Sequence, residues 1–172
     1  KSDWENNRKL FLKGEAFFEV EKGSNFSVET TGGSIDVLGT KFIVISQKKY
    51  LEVQCYEGKV RVSSNKIQTI LNPTNAFRAI DTASETWSFT NQNPTWLQGE
   101  SSFTNTPLKQ VISALENQFE TQFNLNNIDA NKRFTGSFTH SDIKLALKTV
   151  FVPMKISFTF KGENSVVLDK SK

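Results

Sequence analysis

The hydrophobic period of this chain changes once, and that change divides it. From Arg8 to about Ile80 apolar and polar residues alternate: Leu10, Leu12, Ala16, Phe18 and Val20 share one side, while Lys13, Glu15, Glu19 and Glu21 share the other. Period two is the mark of a strand buried on one face. Further short strands are predicted at Phe26–Val28, Ile35–Val37, Lys41–Ile45, Leu51–Tyr56, Lys59–Val62, Ile67–Leu71 and Phe77–Ile80. Gly23, Gly32-Gly33, Gly39 and Gly58 punctuate them, as glycine does where a turn takes up positive φ. Such a segment folds as an all-β domain, either a sandwich or a rolled, solenoid-like stack, and the pattern does not choose between the two.

Beyond residue 98 the period becomes 3.6. Thr106 is the predicted N-cap and Pro107 the first helical residue, followed by a stripe of Leu108, Val111, Ile112, Leu115 and Phe119. A second helix is predicted from a Ser141 cap, with Asp142 complementing its dipole. Ile143, Ala146, Leu147 and Val150 form its stripe, and Pro153 stops it. Between the two patterns lies a polar stretch broken only by Trp87-Ser88-Phe89 and Trp96. The expected division is therefore an all-β domain over 1–80, a linker over 81–98 and a second domain over 99–172, with the tryptophans tacking the linker to its neighbours.

The second domain contains a duplication. Ser102-Phe103-Thr104-Asn105-Thr106-Pro107-Leu108-Lys109 aligns with Ser137-Phe138-Thr139-His140-Ser141-Asp142-Ile143-Lys144 at a constant offset of 35 residues, and Phe123-Asn124-Leu125 aligns with Phe158-Thr159-Phe160 at the same offset. A copy this short is below the roughly 40 residues at which a lone domain becomes plausible, so the copies must share a core. The expectation is a duplicated βαβ domain, and hence an α+β fold for the chain. Ser165-Val166-Val167-Leu168-Asp169 is its last strand and lies outside the duplication. With no sequence neighbour for its second side, that strand is expected to offer an open sheet edge on which a protein partner can dock.

Catalytic and cofactor chemistry find little support in the residues. His140 is the only histidine and Cys55 the only cysteine, so HExxH and Cys/His zinc motifs and an intrachain disulfide fail by count. His140 aligns with Asn105, and a polar turn residue ahead of a helix accounts for both. Cys55 falls at a buried strand position. Glu15, Glu19 and Glu21 could supply a glycosidase pair, but they read as a hydrated strand face with nothing apolar to raise a pKa. No phosphate-binding glycine loop occurs. The 21 basic and 18 acidic side chains leave a net charge of +3, too small and too scattered for a nucleic-acid surface. Asn25-Phe26-Ser27 matches a glycosylation acceptor, a tripeptide common by chance. Neither a membrane span nor a signal peptide is found, and a start at Lys1 suggests a piece of a longer protein. No enzyme activity and no cofactor are expected, which leaves binding.

Six blocks in order resemble the FecR-like anti-sigma regulators. They are Leu12-Lys13-Gly14-Glu15-Ala16-Phe17-Phe18-Glu19-Val20, Asn25-Phe26-Ser27-Val28-Glu29-Thr30, Val37-Leu38-Gly39-Thr40-Lys41-Phe42, Tyr56-Glu57-Gly58-Lys59-Val60-Arg61-Val62, Phe103-Thr104-Asn105-Thr106-Pro107-Leu108 and Arg133-Phe134-Thr135-Gly136-Ser137-Phe138. Ile43 departs from the family pattern, as does the turn Asn72-Pro73-Thr74-Asn75. The resemblance implies a periplasmic region of an inner-membrane protein whose cytoplasmic part, absent from this chain, holds an extracytoplasmic-function (ECF) sigma factor. The implied partner is the signalling domain of a TonB-dependent outer-membrane transporter, and the second domain is similar to the short amino-terminal module that such transporters carry. A periplasmic glycan-binding module is the alternative, with Trp4, Trp87 or Trp96 as a stacking platform, although these residues are not spaced along one strand face.

Overall fold

The alternation in the first half resolves into the strands of two sheets. The structure, a computed structural model, describes residues 8–171, and the chain divides into a unit Lys1–Pro94 and a unit Thr95–Lys172. In the first unit β1 (Arg8–Phe11), β3 (Phe26–Thr30), β4 (Gly33–Val37), β7 (Val60–Ser64) and β8 (Ile67–Leu71) form one five-stranded sheet in the order β1-β3-β4-β7-β8. The second sheet runs β10 (Ala83–Ser88), β9 (Asn75–Ile80), β6 (Tyr50–Glu57), β5 (Lys41–Gln47) and β2 (Gly14–Glu19). Val28, Ile35, Val60 and Val62 of the first meet Phe42, Val44, Leu51, Val53 and Phe77 of the second in one core. The β half is thus a sandwich.

The run Leu10–Val20 shares a face without being a single strand. β1 lies in one sheet and β2 in the other, and Gly14 at the crossing takes a φ of +114° that a side chain would resist. Leu10 and Leu12, before the crossing, and Phe18 and Val20, after it, still pack on the shared core. Gly58 is required for a different reason. In the turn between β6 and β7 it has a φ of +80°, and a Cβ there would come within 2.5 Å of the Gly39 carbonyl oxygen. Part of the stretch read as linker is strand, since Ala83–Ser88 pairs antiparallel along β9 from Ala83↔Ile80 to Ser88↔Asn75.

The face of the second sheet turned away from the core holds a buried ionic cluster. Glu85, Arg78 and Glu52 are successive neighbours across β10, β9 and β6. Arg78 is 1% exposed. Its Nε donates to Glu52 Oε2 at 2.9 Å and to the Tyr50 hydroxyl at 3.0 Å, and its Nη1 donates to Glu85 Oε1 at 2.7 Å. The Tyr50 hydroxyl donates in turn to Glu52, and the Trp87 ring lies 4.3 Å from the guanidinium carbon. Burial alone would lower the Arg78 pKa, but Glu52 first, with Tyr50 and Glu85, holds it above the ordinary arginine value. The Tyr50 hydroxyl is pushed up by burial and by Glu52.

In the second unit β11 (Glu100–Pro107), α1 (Leu108–Phe119), β12 (Gln122–Asn126), β13 (Arg133–Thr139), α2 (Ile143–Phe151), β14 (Ile156–Phe160) and β15 (Ser165–Lys170) follow in order, after a short 3-10 turn over Thr95–Gln98. The expected duplicated βαβ arrangement is overturned. A βαβ unit needs two parallel strands in one sheet, yet β11 pairs antiparallel with β13 in a two-stranded ribbon, while β12 and β14 lie in a separate sheet of order β12-β15-β14. Each helix carries the chain from the ribbon to the other sheet. Among the described residues fifteen strands stand against two α-helices, so the chain is mostly β and the expected α+β class does not describe it.

The helix starts are each one residue later than the sequence suggests. Pro107, the last residue of β11, occupies the N-cap position of α1, and Thr106 lies within the strand, its hydroxyl donating to the Thr104 carbonyl. Asp142 caps α2 by accepting from the amides of Lys144 and Leu145, while Ser141 pairs with Thr139. The stripes hold: Leu108, Val111, Ile112 and Leu115 meet Ala146, Leu147 and Val150 in a core shared with Phe123, Phe138, Val166 and Leu168, and Ile143 and Phe119 pack at its margin.

Two stability outcomes follow from these contacts. Leu115→Ala, at a fully buried site, is expected to cost about 2–5 kcal/mol by thermal or urea unfolding, against little for Lys109→Ala on the exposed side; equal losses would contradict the register. Arg78→Ala leaves Glu52 buried without its cation and is expected to cost about 3–5 kcal/mol. Adding Glu52→Gln should restore part of that loss, and a double variant no more stable than the single would refute the ionic cause.

Candidate partner-docking site

The proposed docking strand, Ser165, Val166, Val167, Leu168 and Asp169, is the middle strand of its sheet. β14 takes one side in antiparallel register and β12 takes the other in parallel register from Gln122↔Ser165 to Asn126↔Asp169. The open edge expected there is therefore closed. Apolar side chains on both faces belong to a strand covered on both sides: Val166 and Leu168 are buried in the core, and Val167 is half-buried beside Thr159 and Asn124. Strand addition to β15 has no free backbone to use.

The free edges of this sheet are β12 and β14. Just outside the two ends of β14 the amide of Lys161 donates to Ser165 O at 2.8 Å and Ser171 N donates to Lys155 O at 3.0 Å. Antiparallel pairing alternates inward and outward residues, so Phe158 and Phe160 turn their backbone groups outward. Their rings meet edge to face at 6.2 Å and pack against the core side of the sheet. β14 carries no charged residue within its span, although Lys155 and Lys161 flank it.

The chemistry-bearing residues are dispersed. His140 Nε2 lies 2.9 Å from the Ser101 hydroxyl, and partial desolvation lowers its pKa against the opposing pull of Glu100. Its repeat counterpart Asn105 sits at an irregularity between β11 and β13, with φ +46°. Glu15 and Glu19 are exposed on β2, yet the Glu15 carboxyl is raised, first by lost hydration and then by Glu52, against the expectation that nothing apolar is near enough to raise a pKa there. Among the described residues no group of three or more His, Cys, Asp or Glu is placed to hold a metal ion, and no helix is long and apolar enough to cross a membrane. Of the candidate stacking tryptophans, Trp87 has a ring face occupied by Arg78, Trp96 is 36% exposed on the 3-10 turn, and Trp4 lies outside the described residues.

Cys55 is fully buried in the sandwich core, and burial pushes its thiol up to about 11. Only the thiolate reacts readily. Native protein at neutral pH is expected to resist a thiol reagent such as dithionitrobenzoate until denaturant is added; labelling at the rate of a free thiol would show that the core position is wrong.

Two parts of one family match the chain: "FecR protein" over residues 1–61 and "FecR, C-terminal" over residues 100–167. Two crystal structures of a Parabacteroides distasonis protein assigned as an anti-sigma factor are similar in fold. One, at 26% identity, has a TM-score of 0.83 over 97% of this chain and 82% of that chain. The other, also at 26% identity, has a TM-score of 0.82 over 95% of this chain and 80% of that one. A search of curated proteins finds no match. The first match falls on the sandwich and the second spans most of the sheet-and-helix unit, in the order in which the six sequence blocks run. With a match in each unit and a solved relative of similar fold over nearly the whole chain, the chain belongs to the FecR family of anti-sigma regulators.

Proposed function

We propose that this chain is the periplasmic sensing region of a transmembrane anti-sigma factor. In this reading the signalling domain of a TonB-dependent outer-membrane transporter docks on it, and the signal passes to an ECF sigma factor held by a cytoplasmic region that this chain does not contain. The observation that carries the reading is the joint match of FecR and FecR, C-terminal on two separately cored units. The family is regulatory.

Docking by strand addition moves, in this proposal, from β15 to the neighbouring edge β14. The outward backbone of Phe158 and Phe160 would supply the pairing groups, and side chains on the partner strand would supply specificity. Titrating the signalling domain of the cognate transporter into this chain by calorimetry is expected to give saturable one-to-one binding, and absence of heat and of co-elution would contradict the function. The edge is tested separately with Phe158→Ala and Phe158→Pro. Both remove the ring, and only proline removes the outward amide, a change that an edge strand tolerates. The expected result is similar melting for the pair, with affinity roughly tenfold lower for the proline variant, about 1.4 kcal/mol. Equal affinities would place docking elsewhere while leaving the function intact.

A further inference from the structure

The outer face of the first unit's other sheet carries a groove that the reading above leaves unused. β4, β7 and β8 are in register so that Asp36, Arg61 and Ile70 form one row across the sheet. Together with Asn25, Leu38 and Lys59 this row lines a cavity of about 350 Å3. Leu38 and Ile70 are large apolar side chains 59% and 57% exposed. Arg61 and Lys59 are exposed as well, and their cations form no ion pair among the described residues. The one carboxylate in the row, Asp36, accepts from the Ser27 hydroxyl at 2.6 Å. The groove thus offers two cations without an ion pair, against one carboxylate, beside two apolar contacts.

The row ends on an unprotected strand. β8 is the last strand of its sheet, and its span Ile67-Gln68-Thr69-Ile70-Leu71 contains no charge and no proline, and it pairs with β7 without a bulge. The other edges of this unit are guarded by charge: Arg8 and Lys9 on β1, Glu15 and Glu19 on β2, Glu85 on β10. Edges that must stay single are normally blunted in this way, and an unblunted one is a template for another chain. A strand laid beside β8 would run about 9–10 Å from β7, a gap that an extended arginine side chain and an acidic side chain can close together.

We propose that this surface binds an extended acidic segment of another protein. The segment adds a strand to β8, sets an apolar side chain against Ile70 and Leu38, and directs carboxylates to Arg61 and Lys59. The complementarity is one of charge and of backbone together. A polybasic segment would meet two like charges, and a free carboxylate would gain nothing from the edge.

The whole chain can be titrated against a fluorescein-labelled octapeptide Glu-Thr-Val-Thr-Glu-Thr-Val-Thr, whose glutamates and valines share one face of a strand, and against the same peptide with lysine in place of glutamate, reading fluorescence anisotropy. The expected result is saturable binding of the acidic peptide only, roughly tenfold weaker in Arg61→Glu and in Ile70→Glu. The same charge change at Lys144→Glu, in the other unit, should leave affinity unaltered. Arg61→Gln serves if charge reversal lowers the melting temperature, and it should weaken binding in the same direction. Free glutamate at equal carboxylate concentration should not compete. No saturable binding of the acidic peptide, equal binding of the two peptides, full competition by free glutamate, or parental affinity in both Arg61 variants would each overturn the proposal.

Discussion

The pairing of β15 on both sides is the interaction on which the second unit depends. Each repeat copy ends in a five-residue strand, β12 or β14, and neither strand has a partner within its own copy. β15, from outside the duplication, satisfies one edge of each. It also drives Val166 and Leu168 into the core between the two helical stripes. Without it the copies would expose backbone groups and the apolar undersides of Phe123, Phe158 and Phe160, a cost that a unit this small could not carry. The duplication thus supplies two half-sites, and the unduplicated strand joins them.

The sandwich has a different organising cost. Its inner faces are apolar and account for themselves, but Arg78, Glu52 and Tyr50 are buried on the face turned away from the core. A buried ion pair adds little net stability compared with apolar residues of the same shape, yet it penalises any arrangement that separates its members. Because Glu85, Arg78 and Glu52 sit on three adjacent strands, their bonds fix the register of β10, β9 and β6 at one point. That gives a physical reason for β10, an edge strand of mixed polarity, to stay in the sheet: its Glu85 and Trp87 complete the surroundings of the guanidinium.

Much of this was legible in the sequence, and the misses have identifiable causes. Period two located the strands of the sandwich because one face of each is buried, and the 3.6 stripes located both helices with their core residues. Strand pairing was not legible. Nothing in the neighbourhood of Ser165–Asp169 announces that its second partner is Gln122–Asn126, some forty residues earlier in the chain. The same gap produced the βαβ expectation, since element order does not determine which strands share a sheet. Ala83–Ser88 reads as linker in the sequence because its side chains alternate between polar and mixed character, with only Trp87 large and apolar. The contact of Trp87 with Arg78 could be recognised only once β9 and β10 were paired.

As a regulator, the protein must make a contact that can be changed by its partner, and exposed sheet edges fit that requirement better than buried polar sites do. Hydrogen exchange of the backbone amides, measured with and without the proposed partner, the signalling domain of a TonB-dependent transporter, tests this most directly. The outward amides of Phe158 and Phe160 should exchange fast in the free chain and slow markedly in the complex, while Val166 to Leu168 should be protected in both states. Slowing confined to other strands, or an unprotected β15 in the free chain, would contradict the account.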